Sequence, residues 1–171
     1  MQTLITMQEW EQHKRFVGLT QDDVDAIVRL QPVAKNFVQE VVEALYEHLL
    51  SFNQTRSFLT SPELMGLLRE AQSEYFLQLF AGDYGEKYLK SRIHVGRIHY
   101  RVGLPVSIYM ATYSHYFRLI RPHIFEYLDD TEMAFRSLDA LGKLITLDEI
   151  VAVDAYIETM VNSPKLQVQN S

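Results

Sequence analysis

The chain has 171 residues, 47% hydrophobic and 12% aromatic, which suits one folded domain with a sizeable core. A formal net charge of −6 with no basic patch argues against a nucleic-acid partner. With no cysteine in the chain, disulfides, thiolate-held zinc and iron–sulfur clusters are excluded.

Residues 1–10 carry neither a basic n-region nor a long apolar run, so no secretory signal is expected. No stretch approaches the roughly 20 apolar residues that a membrane span needs, so no membrane partner is expected either. The cytoplasm is the default compartment. A single domain over 1–171 is expected, with its core in residues 10–160 and a polar, frayed tail over 162–171.

In chain order, a short helix is expected around Trp10. Thr20 caps a second helix with Val24, Ile27 and Val28 at helical spacing, and Pro32 breaks it. The next, over 33–50, sets Phe37, Val41, Leu45 and Leu49 on one stripe. Residues 51–60 read as a polar connector with Phe52 and Phe58 in it. Ser61-Pro62-Glu63 is a strong start signal: a serine cap, proline at the first helical position and an early carboxylate. The helix it opens carries Leu64, Leu67, Leu68, Ala71 and Tyr75, and runs to about Phe80. A turn over 81–85 leads to a helix over 86–102, which stops at Gly103-Leu104-Pro105. Pro105 starts a helix with Val106, Tyr109, Met110, Tyr113, Phe117 and Ile120 on one stripe. The chain restarts near Asp129, where Asp129 and Glu132 suit an acidic capping box. The long last helix carries Leu138, Leu141, Ile145, Val153, Tyr156, Ile157 and Met160. The fold class is all-α; periodicity does not distinguish one helical fold from another.

The six histidines differ in setting. His13 lies in a charged stretch and reads as solvated. His48 sits off its helix's apolar stripe, and His115 falls between the inward positions Tyr113 and Phe117, so both read as outward. His123 follows Pro122 near a helix end. His94 and His99 point about 140° apart on an α-helix and cannot face one pocket. The neighbours of His94 are mostly polar. Those of His99, Val95, Ile98, Val102 and Gly103, are apolar or small, so His99 is the inward one. It is either a metal ligand or a core histidine with a backbone partner. A lone histidine without an i+4 partner does not suit zinc, which takes three or four protein ligands.

The stretch Val95-Gly96-Arg97-Ile98-His99-Tyr100-Arg101-Val102-Gly103-Leu104-Pro105 resembles the proximal-histidine motif of the globin-coupled sensors, bacterial haem domains that detect diatomic gases. The likeness covers about residues 10–160. It implies a globin-like fold with a reduced connector region and a short extra N-terminal helix. It implies haem b as cofactor, with His99 as the proximal iron ligand and Tyr109 on the next helix behind it. In Ala44-Leu45-Tyr46-Glu47, Tyr46 matches the tyrosine that reaches over the iron and donates a hydrogen bond to the gas. Phe58 matches a phenylalanine wedged against the haem, and Leu68 the facing leucine. Leu64, Val95, Ile98, Val102, Val106 and Met110 are expected to complete the cofactor pocket. The Ser61–Phe80 helix holds no histidine, so Tyr46 is the expected distal donor.

The implied function is a gas sensor, most simply of O2, with CO or NO as other haem ligands. The family joins this domain to an output module such as a diguanylate cyclase, a histidine kinase or a chemotaxis module. This chain has no Gly-Gly-Asp/Glu-Glu-Phe sequence, no kinase motif and no long coiled coil, so it is expected to be a sensor rather than an enzyme; the polar tail would be the junction to an output domain. The resemblance also implies a homodimer through the last two main helices, where Tyr116, Phe135 and Tyr156 offer an aromatic surface. The alternatives are a haem-free helical interaction domain with a filled pocket, or a haem globin that oxidises nitric oxide.

Overall fold

Capping side chains set four of the eight helix starts among the described residues. In a computed structural model, which describes residues 5–162, α1 (Met7–Val17) opens at Thr6, whose hydroxyl accepts from the Glu9 amide while the Glu9 carboxylate takes the Thr6 amide. Thr20 and Asp23 repeat that box at α2 (Gln21–Val28). Helix α3 (Gln31–Ser51) contains Pro32 in its first turn. Proline starts this helix rather than merely ending the one before, because its missing N–H would be unpaired there in any case. The connector is not irregular throughout: it holds a single turn, α4 (Asn53–Arg56), whose buried Thr55 donates its hydroxyl to the Leu49 carbonyl.

Ser61 caps α5 (Pro62–Leu79) by accepting from the Leu64 amide at 3.2 Å. Next come α6 (Glu86–Arg101) and α7 (Val106–Tyr127). Pro122 lies inside α7, which continues past it. The long α8 (Thr131–Asn162) is capped by Asp130, not Asp129: the Asp130 carboxylate accepts from the amides of Glu132 and Met133. The described residues form these eight helices and no strand. None is long and apolar enough to cross a membrane. The tail over 163–171, read as an output junction, lies outside the described residues.

Helix α8 is the spine, packed by α1, α2, α6 and α7, while α3 packs on α5 and α7. Trp10, Ile27, Phe76, Phe80, Leu141 and Leu144 are fully buried. The Trp10 indole donates to the Tyr84 carbonyl at 2.8 Å, which fastens α1 beside the start of α6. Helix α6 crosses α8 at Gly96, where a Cβ would lie 2.8 Å from the Cβ of Ala155 and 3.2 Å from the backbone of Ala152. One residue on, Arg97 clamps Glu158 of α8, with Nε at 2.9 Å and Nη2 at 2.5 Å from one carboxylate oxygen.

Several expected core positions are exposed. Leu67 is 65% exposed, one position off the inward face of α5, and Ile157 and Met160 lie on the solvent side of α8. Of the aromatics expected at a dimer surface, Tyr116 and Tyr156 are buried and only Phe135 is exposed. Their rings pack inward instead, Tyr116 against Phe76 and Tyr156 against Tyr100 and Tyr109.

Gly96→Val is expected to lower stability by about 1–3 kcal/mol through overpacking of the α6–α8 crossing. Thermal unfolding checks this; an unchanged Tm would contradict the close approach.

Candidate functional site

Helices α3, α5, α6 and α7 enclose a cavity of about 450 Å³, a size typical of cofactor and ligand sites. Its walls are mainly aliphatic and aromatic. Tyr46 and Leu68 face it from α3 and α5, and Val95 and His99 from α6.

His99 is held by the way α6 ends. Gly103 adopts a left-handed φ of 79°. Its amide then donates to the Tyr100 carbonyl at 3.0 Å, and the Leu104 amide to the His99 carbonyl at 3.1 Å. This double closure needs glycine at the turn. The side chain of His99 is fixed separately: Nδ1 lies 2.8 Å from the Val95 carbonyl oxygen, so Nδ1 carries the proton. Nε2 is then unprotonated and has no protein partner among the described residues. Burial holds the imidazole below its usual pKa, partly offset by the Val95 carbonyl, so the ring is neutral. His99 is only half-buried because one side of it opens on the cavity.

Tyr109 packs its ring 4.6 Å from that of His99. Its hydroxyl pairs with the Tyr113 hydroxyl at 3.1 Å, and burial pushes its pKa up to about 12. Across the cavity, Tyr46 is 6% exposed, and burial pushes its phenol up to about 12, so it remains a donor at any physiological pH. The Arg69 guanidinium sits 5.2 Å from the Tyr46 ring and is tied to Glu43 at 2.9 Å. That pair braces the outer face of the ring.

The structure brings most of the expected pocket residues together. Phe58, Leu64, Leu68, Val95, Ile98 and Val102 line the same cavity as Tyr46, His99 and Tyr109. Ile98 and Val102 are also exposed, which puts them at its mouth. Val106 and Met110 do not line it. Helix α7 is rotated so that Ile108, Tyr109, Thr112 and Tyr113 face inward, leaving Val106 and Met110 on the adjoining strip. Sequence reasoning missed Gln72 and Tyr75 as lining residues, although both continue the Leu64–Leu68 spacing of α5. The remaining histidines lie elsewhere. His48 and His115 stack on each other at 3.6 Å and are half-buried rather than outward, and His13 is half-buried too. His123 stacks on Phe37 at 4.4 Å. Among the described residues no group of three His, Cys, Asp or Glu side chains is placed to hold a metal ion.

A sequence profile of the protoglobin family matches residues 6–162. The chain belongs to the protoglobin family. It is 30% identical over 154 residues to the heme-based aerotactic transducer HemAT of Halobacterium salinarum, covering 84% of this chain and 32% of that protein. The chain thus spans about a third of the length of that curated relative. The globin domain of a Geobacter sulfurreducens globin-coupled sensor superposes with a TM-score of 0.80 at 25% identity, covering 90% of this chain and 99% of that one. A ferric crystal form of the globin domain of E. coli DosC gives a TM-score of 0.73 at 16% identity, over 82% of this chain and 97% of that one, a likeness of fold. This protoglobin is similar over its length to the globin domain of a globin-coupled sensor.

Behind the cavity lies a buried polar cluster. Asp148 of α8 accepts from the hydroxyls of Tyr75 at 2.8 Å and Tyr88 at 2.9 Å, with Arg92 Nη1 3.8 Å away. Burial pushes Asp148 up to about 6, against the pull of the guanidinium and the two phenols. Asp148→Leu strands the Arg92 cation in the interior and is expected to cost about 3–5 kcal/mol. Denaturant unfolding measures it; a loss under about 1 kcal/mol would mean that Arg92 finds water.

Proposed function

We propose that this domain holds haem b in the cavity, with His99 as the proximal iron ligand, and senses a diatomic gas on behalf of an output domain. The observation that carries this reading is the His99 imidazole: neutral, fixed through Nδ1 to the Val95 carbonyl, with Nε2 left free on a largely apolar cavity wall. Those are the properties that would let His99 hold a haem iron, its orientation and basicity set by its own hydrogen bond. The open cavity also favours this reading over a haem-free domain with a filled pocket. When bound, the haem supplies reversible binding of O2, CO or NO.

The protein's part is positioning and polarity. Val95 and the Gly103 turn hold the histidine, and the Tyr109 ring limits its rotation. Leu64 and Leu68 keep the opposite wall apolar, and Phe58 closes the side. Tyr46, braced by Arg69, would offer its O–H as a hydrogen-bond donor to a gas held in the cavity. Oxygen accepts such a bond well and carbon monoxide poorly, so Tyr46 selects for oxygen. Oxygen as the gas agrees with the description of the Halobacterium relative as an aerotactic transducer. A homodimer in the cytoplasm, joined to a signalling module beyond the described residues, completes the proposal.

His99→Ala is expected to abolish the five-coordinate histidine spectrum of the ferrous protein; full retention of that spectrum would remove His99 as the ligand. Tyr46→Phe is expected to speed oxygen dissociation about tenfold, the worth of one hydrogen bond of roughly 1–1.5 kcal/mol, and to change carbon monoxide affinity less. Stopped-flow kinetics reads both, and unchanged oxygen release would exclude Tyr46 as the donor.

A further inference from the structure

We propose that Asp148 couples occupancy of the cavity to α8, through Tyr75 on one side and Arg92 on the other. This rests on the gas-sensor reading above.

A residue of the cavity wall and a buried arginine of the helix that carries His99 converge on this one carboxylate. Tyr75 lines the cavity from α5 and donates its hydroxyl to Asp148 at 2.8 Å. Arg92 stands on α6 about two helical turns before His99, and therefore on the same face of that helix. Its guanidinium lies 4.2 Å from the Tyr75 ring centroid and 4.7 Å from that of Tyr88. Its Nη2 donates to the Gln78 side chain of α5. Asp148 is fully buried in the middle of α8, so any shift of Tyr75 or Arg92 is met by α8 and not by solvent.

The cluster also has slack. Arg92 Nε and Nη1 and Asp148 Oδ1 have no hydrogen-bond partner among the described residues, although Nη1 is only 3.8 Å from the other carboxylate oxygen. A charged donor thus lies beside a charged acceptor without bonding to it, and the bond they can form is of the strong, charge-assisted kind. A small displacement of Tyr75 closes it. Two arrangements of one cluster are what a switch needs, because coupling passes through elements with discrete alternative states.

The neighbouring ion pair has no such slack. Arg97 grips Glu158 at 2.5 and 2.9 Å beside the Gly96 crossing, which pins α6 to α8 there. A tilt of α6 about that pin moves Arg92, five residues earlier on the same helix, against Asp148. Arg97–Glu158 is the pivot, and Arg92–Asp148–Tyr75 is the part that changes.

The test is hydrogen exchange in α8 peptides spanning residues 144–152, compared between the unliganded ferrous protein and the carbon monoxide-saturated one. Saturation is read from the absorption spectrum, so altered affinity does not enter. In the wild-type protein, exchange there is expected to change about fivefold or more on saturation. In Asp148→Asn and in Tyr75→Phe the change should fall below about twofold, although each variant is saturated. If Asp148→Asn does not fold, Tyr75→Phe, which keeps the ring and removes only the hydroxyl tie, decides alone. A wild-type protein that saturates with no change in α8, or a Tyr75→Phe response as large as the wild type's, overturns the coupling and leaves the sensor reading standing. A wild-type protein without a haem band overturns the sensor reading, and the coupling with it.

Discussion

The close approach of α6 to α8 at Gly96 is the constraint on which the site depends. With no side chain at that position, the backbone of α6 settles against Ala152 and Ala155, and Arg97 locks the register through Glu158. Everything further along α6 is then placed. One turn on, His99 meets the cavity, and the left-handed Gly103 ends the helix before it can run past the pocket. A bulkier residue at 96 would push α6 outward and carry the imidazole with it.

The chemistry of the site comes from an uneven distribution of polarity. The cavity wall is apolar except for a few groups, several of which have a defined commitment. His99 gives Nδ1 to a backbone carbonyl, Tyr109 and Tyr113 pair with each other, and Tyr75 is bound to Asp148. Tyr46 is braced by a guanidinium over its ring but has no hydrogen-bond partner among the described residues. A donor held ready in an apolar cavity, opposite a neutral imidazole, can discriminate between ligands by how well each accepts a proton.

Much of this was legible in the sequence, for local reasons. Thr20, Ser61 and Gly103 announce helix ends because capping needs particular side chains at particular offsets. The spacing of Leu64, Leu68 and Tyr75 sets one face of α5, and the apolar neighbours of His99 distinguish it from His94. Pro32 misled because proline terminates a helix or starts one depending on a single position. The turn α4 is too short to show a period. On α7 the inward strip was misjudged by about one residue: an aromatic-rich helix supports two adjacent stripes, and only packing chooses between them, hence the misplacement of Val106 and Met110. The Arg92–Asp148 cluster and the Glu43–Arg69 brace left no local pattern, because each joins residues that are remote in sequence and meet only in the fold.

The most direct test is a titration of the purified protein with haem, followed by absorption spectra of the ferrous and carbon monoxide-bound forms. Among the described residues His99 is the one histidine on the cavity wall. The account therefore predicts binding of one haem per chain, a ferrous spectrum with a single histidine on the iron, and a reversible shift with carbon monoxide. A protein that takes up no haem, leaving only the broad spectrum of the free cofactor, or a ferrous haem already carrying two histidines, would contradict it.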